Sequence, residues 1–207
     1  FYDFCEQCIE LDHTDFDFTI GTNAQTFTPK FWKTINQFTN MNFSVSVDGF
    51  GKYNDYQRWK SDFDTVMSNS KKLEEQGHNV TFLIVPGIFN VTNLHLLFEY
   101  IDKHFPKTAL YVQINHNELQ SAFNHPRPDL VIESMKKCQQ TKIYHSDGRS
   151  CKTTIDSILS YYSNNPQLNL NILKRFFEYN DKIDQARGVQ LKDYIPELDE
   201  GRKLFNG

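Results

Sequence analysis

The chain has 207 residues, 22 basic against 26 acidic for a formal net charge of −4, and 39% apolar residues that include 18 Phe and 10 Tyr. That apolar share builds a core and argues against wholesale disorder. No basic stripe supports binding of duplex nucleic acid, and no apolar run approaches the roughly 20 residues needed to span a membrane.

The opening "FYDFCEQCIELD" sets Phe1, Phe4, Cys5, Cys8 and Ile9 at helical spacing. A chain that opens inside a helix is expected to be the carboxyl-terminal piece of a longer protein, and the lack of a targeting signal then carries no information. "FDFTI" (16–20) alternates as a strand does. "GTNAQTFTP" turns the chain, and "KFWKTINQF" reads as a short helix with Pro29 near its start. "NFSVSV" is a second strand. "SDFDTVMSNSKKLEEQG" is a helix with Ser61 as N-cap, Asp64 three residues on, and Gly77 as its stop. "NVTFLIV" is a strand apolar enough to predict cover on both faces. "NVTNLHLLFEYIDKHFP" is a helix stopped by Pro106, and "ALYVQI" is the fourth strand.

Strands thus start near 16, 43, 79 and 109, each separated from the next by a helix. Spacings of about 27 to 36 residues suit βα units and a parallel sheet. The expected class is α/β, with four βα units forming the carboxyl-terminal half of a partial (β/α) barrel over residues 1–125. From about 128 the pattern becomes helical, in "PDLVIESMKKCQQ", "CKTTIDSILSYYS" and "LNILKRFFEYNDKIDQAR". The last segment, "GVQLKDYIPELDEGRKLFNG", reads as a polar tail, so residues 126–207 are expected to form a helical extension.

Ligands of parallel α/β sheets bind beyond the carboxyl ends of the strands. Here the four exits are "GTNA", "SVDG", "VPGIFN" and "INHNE", which carry Thr22, Asn23, Ser46, Asp48, Asn90, Asn115 and His116. Each such group buried without a partner costs about 1 to 3 kcal/mol. Loop backbone, water or a polar ligand can each supply the partner, and spacing alone does not choose among them.

Four cysteines are too few for a disulfide scaffold in a chain of this size, so a reducing cytoplasm is the expected compartment. Asn42, Asn79 and Asn90 begin N-x-[ST] triplets and are read as chance matches, since Asn79 opens a strand expected to be buried. Cys5 and Cys8 share a helix face, lack a second pair at zinc spacing, and are read as core residues. His116 with Glu118, and His125, are weaker candidates for acid–base groups. No glycine-rich phosphate loop of either standard pattern is present, which counts against other nucleotide-binding α/β enzymes.

The pair "TNA" and "SVDG" on successive exits, the continuation "DYQRWKSDFDTVMSN", and the closing "IDQARGVQLKDYIPEL" together resemble the second half of a radical S-adenosylmethionine (SAM) enzyme with a small carboxyl-terminal "twitch" extension. The resemblance spans most of residues 1–205. That family uses a [4Fe-4S] cluster on a C-x3-C-x2-C loop to cleave SAM reductively and start hydrogen abstraction from a substrate. The resemblance implies a catalytic full-length protein whose cluster loop and "G-G-E-P" turn lie upstream of Phe1, leaving this fragment inactive by itself. It implies that Thr22 and Asn23 stand at the family's "T-N-G", with Ala24 in place of glycine. Ser46 and Asp48 would face the ribose and amino-acid part of SAM, Arg58 its carboxylate, and Asn90 the next strand exit. It implies a peptide or another small biosynthetic intermediate as substrate. Cys138 and Cys151, with Gly148 between, faintly match the auxiliary-cluster cysteines of twitch extensions, although two helix-borne core cysteines are the simpler reading. The alternative from another class is a non-catalytic α/β binding module that recognises a partner or peptide.

Overall fold

A computed structural model describes residues 1–39, 41–146, 149–164 and 166–205. The chain runs through helix α1 (Tyr2–Glu10), strand β1 (Thr19–Thr22), α2 (Pro29–Ile35), β2 (Asn42–Ser46), α3 (Lys52–Gln57), α4 (Phe63–Glu75), β3 (Asn79–Ile84), α5 (Leu94–His104) and β4 (Ala109–Val112). Two short 3-10 turns then lead into α6 (Pro128–Cys138), α7 (Lys142–Ser146), α8 (Arg149–Ser163), α9 (Leu170–Arg187), α10 (Leu191–Tyr194) and α11 (Pro196–Asp199), with a last 3-10 turn at Glu200–Phe205.

The four strands form one parallel sheet in the order β1-β2-β3-β4. Sequence neighbours are sheet neighbours, as the repeated βα pattern predicts. Ile20 stands opposite Phe43, Phe43 opposite Val80, Phe82 opposite Leu110, and Ile84 opposite Val112. Successive strand residues point to opposite faces. On one face Phe43, Val45, Val80, Phe82, Ile84, Leu110 and Val112 are buried. They share a core with Phe31 and Ile35 of α2, Val66 and Leu73 of α4, Leu97 and Ile101 of α5, and Val131 and Ile155 of α6 and α8. The other face carries Thr19, Gly21, Ser44, Ser46, Thr81, Leu83 and Tyr111, all half-buried or exposed. The apolar run of β3 predicts cover on both faces. The structure covers one, leaving Thr81 and Leu83 half-buried.

The structure departs locally from the sequence reading at four points. β1 begins at Thr19; just before it Phe16 and Phe18 stack together at 5.4 Å and meet Phe4 and Phe38 edge-on, while the Phe18 carbonyl accepts the Asn42 N–H of β2 at 3.1 Å. The N-cap of α4 is Asp62, which accepts from the Thr65 N–H at 2.8 Å, while the Ser61 hydroxyl goes to Gln25. Helix α3 was not legible, since "KYNDYQ" carries no apolar stripe. The tail is no solvated strand of polar chain: Leu191, Ile195 and Leu198 are buried with Leu173, Phe176 and Phe177 of α9 and with Tyr56, Ile88 and Phe89 in a second core.

Candidate functional site

Strand β2 leaves the sheet through Val47, whose N–H donates to the Leu83 carbonyl at 3.0 Å, and delivers Asp48 to a buried position. The Asp48 Oδ2 lies 2.7 Å from a terminal nitrogen of Arg58, with the two side chains 7% and 30% exposed. Its Oδ1 accepts the Val85 N–H at 3.0 Å. Burial raises the Asp48 pKa, and the Arg58 charge and the Val85 N–H pull it back toward the ionised form. Gly49 follows because the chain turns tightly here: a Cβ at that position would lie 3.0 Å from Cβ of Tyr53 and 3.1 Å from the Asn54 nitrogen. This is the physical reason for Asp-Gly at the exit.

Arg58 reaches Asp48 because α3 ends immediately before it. Its own N–H donates to the Asn54 carbonyl at 2.8 Å, and its φ of −102° and ψ of 78° turn the chain out of the helix. Among the described residues its Nε is buried without a hydrogen-bond partner, as is Oε1 of Gln57. Asn90 closes the group from the β3 side. Its amide nitrogen donates to the carbonyls of Asp48 and Val85, and its oxygen accepts the Gly87 N–H at 2.7 Å. Asn54 supports the same turn, accepting the Asp48 N–H at 3.2 Å and donating to the Ser61 hydroxyl at 3.2 Å. Ser61 in turn meets Oε1 of Gln25 at 3.1 Å, which ties the exit of β1 to that of β2.

The structure therefore brings Asp48, Arg58 and Asn90 together. Ser46 sits two residues earlier, half-buried on the open face opposite Leu83. Thr22 pairs in register with Val45, which puts it on the helix-covered side, and its hydroxyl accepts the Ala24 N–H at 3.0 Å. Asn23 is exposed and accepts the Gln25 N–H at 3.1 Å. Thr22 and Asn23 are thus occupied in their own turn, and among the described residues no hydrogen bond joins them to Asp48 or Arg58. Ala24, which follows Asn23 in that turn, has φ of 50° in the left-handed region where glycine is at ease.

The weaker candidates lie apart. His116 is exposed, and Glu118 stands 3.7 Å from Arg175 with both side chains largely in solvent. His125 is fully buried, its Nδ1 accepts the Arg127 N–H at 3.1 Å, and burial pushes its pKa down to about 3. Cys5 is buried and Cys8 half-buried on α1. Cys138 and Cys151 are buried in the core, where burial drives the Cys138 thiol well above its usual pKa. Gly148 lies outside the described residues. Among the described residues no group of three or more His, Cys, Asp or Glu is arranged to hold a metal ion. No described helix is long and apolar enough to cross a membrane.

Sequence reasoning missed Asn54 and the partners of Tyr56. The Tyr56 hydroxyl donates to Oδ1 of Asp184 at 2.7 Å, a contact spanning 128 residues of chain. No local pattern encodes such a pair. The one available signal was the run of aromatic residues Phe50, Tyr53, Tyr56 and Trp59 after β2, which does not say which of them is buried or by what.

Neither models of known protein families nor curated proteins match this chain.

Proposed function

We propose that the chain is the carboxyl-terminal part of a radical SAM enzyme, its four βα units forming half of a partial (β/α) barrel. The reading is supported by a parallel sheet in sequential order with its helices gathered on one face. Parallel sheets are ordinarily covered on both faces, so the half-open side with Ser44, Ser46, Thr81 and Tyr111 calls for an occupant. In a barrel that side is the interior, and ligands sit at its carboxyl-terminal mouth.

The observation that carries the proposal is the Asp48–Arg58 pair at that mouth, with Arg58 Nε buried and unpartnered among the described residues. A guanidinium held along one edge by a carboxylate still has donors for a second anion, and its planar fork suits a carboxylate. Arg58 therefore receives the SAM carboxylate, and Asp48 holds Arg58 in place. Ser46 and Asn23 offer hydroxyl and amide groups to the ribose and ammonium, Thr22 shapes the β1 turn, and Asn90 brackets the Asp48 and Val85 exits. The cofactor supplies hydrogen-abstraction chemistry once reduced by a [4Fe-4S] cluster, whose ligands this reading assigns to residues outside the chain. The substrate class is a peptide or a small biosynthetic intermediate.

A second reading, a non-catalytic α/β module, draws on one observation: both Asp48 oxygens and all of the Asn90 amide already have protein partners. Binding separates the two. Under the enzyme reading SAM binds the chain, and Asp48→Ala and Arg58→Ala each weaken it by about 1 to 3 kcal/mol in calorimetric titration. In-frame DNA upstream of the Phe1 codon then encodes a C-x3-C-x2-C loop, and the anaerobically reconstituted full-length protein releases 5′-deoxyadenosine. Absence of SAM binding, with no such loop upstream, leaves the module reading in its place.

A further inference from the structure

The loop that carries Arg58 is held from the far end of the chain. Tyr56 is 2% exposed, and its hydroxyl donates to Asp184 at 2.7 Å while accepting from Nδ2 of Asn180 at 2.6 Å. Burial raises the Tyr56 pKa, so the hydroxyl stays protonated and the bond to Asp184 is of the charge-assisted kind, roughly twice as strong as a neutral one. The Tyr56 ring lies between Phe89 and Tyr194, with centroids 5.6 and 5.1 Å away. Its carbonyl accepts from Arg187 at 3.1 Å, and the same guanidinium covers the Trp59 ring at 5.2 Å. Asp184 is itself fixed, since its other oxygen accepts the Leu191 N–H at 2.7 Å.

Arg58 is thus flanked on both sides by residues that answer to α9, while its own charged contact is to Asp48 alone among the described ion pairs. A two-residue separation leaves little freedom between a clamped Tyr56 and the Arg58 side chain. We propose that α9 positions Arg58, with Tyr56, Asp184 and Arg187 as positioning residues that make ligand capture at the sheet's carboxyl end depend on the carboxyl-terminal extension. The ligand half of this inference rests on the SAM reading above, whereas the mechanical half does not.

The test uses the 207-residue chain, with Tyr56→Phe and, because Arg187 is only half-buried and its loss spares both cores, Arg187→Ala. Hydrogen exchange read by mass spectrometry reports segment 56–62, from the end of α3 through the loop after it, separately from strand β3. The expected result is faster exchange in 56–62 in both variants with β3 unchanged, together with a roughly tenfold loss of SAM affinity. Unchanged exchange in the loop overturns the inference, and so does equal acceleration in β3, which marks general destabilisation. A loosened loop with unchanged SAM affinity also overturns it. If the unsubstituted chain does not bind SAM and no cluster loop lies upstream, the proposed function fails, and whether α9 positions Arg58 is still decided by the exchange data alone.

Discussion

The two faces of the sheet are built from the same four strands and differ in nearly every respect. One face presents Phe43, Val45, Phe82, Ile84 and Val112 to a helical layer and is closed to water. The other presents Ser44, Ser46, Thr81 and Tyr111, and is half open. The first face holds the fold. The second contributes little to it, so its residues are free to be chosen for something else. Function is best sought where burial stops dictating residue type, and Ser46 and the exits beside it lie there.

The largest expected effect tests the closed face. Phe82 is 0% exposed and meets Phe105 edge-on at 5.0 Å. Phe82→Ala should cost about 3 to 5 kcal/mol in denaturant unfolding, through lost burial and a residual cavity. Its neighbour Thr81→Ala, on the open face, should stay within about 0.5 kcal/mol of the unsubstituted chain. Comparable losses at both positions would mean that the open face is covered in solution.

Asp48 lies where the two regimes meet. Asp48→Ala removes the partner of Arg58 and the acceptor of the Val85 N–H. Full burial would put the loss of one ion-pair partner at about 3 to 5 kcal/mol. Arg58 is 30% exposed, so solvent relieves part of that, and about 2 kcal/mol is expected in the same unfolding measurement. A change below about 0.5 kcal/mol would show that the pair exerts no hold on the exit.

A pH series separates core electrostatics from the site. The folded chain refuses His125 a proton down to about pH 3, whereas the unfolded chain accepts one near pH 6.5. The unfolded state therefore binds more protons in that window, and stability is full above it and lost as pH falls through it. Between pH 6.5 and 5 this one group should remove about 2 kcal/mol. The neighbouring Arg127 and Asp129 act in opposite directions on it. His125→Asn keeps an acceptor for the Arg127 N–H and removes the titration, so its stability should fall less steeply with acid. Buried His78 and half-buried His95 are also shifted down and leave a residual slope.

Much of the fold was legible because it is local. Pro29, the apolar periods of α4, α5 and α9, and the alternation in β2 each encode their element within a few residues. The Asp48–Arg58 meeting was half legible: both residues stood out, but the unforeseen α3 is what folds one back on the other. The tail was misread because Leu191, Ile195 and Leu198 are few and spaced among charges, and their burial depends on a surface made by α9 and Phe89. The one-sided sheet was not legible at all. An apolar strand run says how much surface wants cover, and leaves open whether the cover belongs to the same segment of chain.

The smallest expected effect on stability is the most informative about function. Ser46 closes β2 on the open face, half-buried and opposite Leu83. If that face is a ligand face, the hydroxyl is there for a partner outside the fold. Ser46→Ala should then leave unfolding within about 0.5 kcal/mol of the unsubstituted chain while weakening SAM binding by about 1 kcal/mol, the worth of one neutral hydrogen bond. Asp48→Ala should lower both, and Thr81→Ala neither. A Ser46→Ala chain that loses stability but not affinity would assign the hydroxyl to the fold and move the ligand away from the sheet face toward the Arg58 loop.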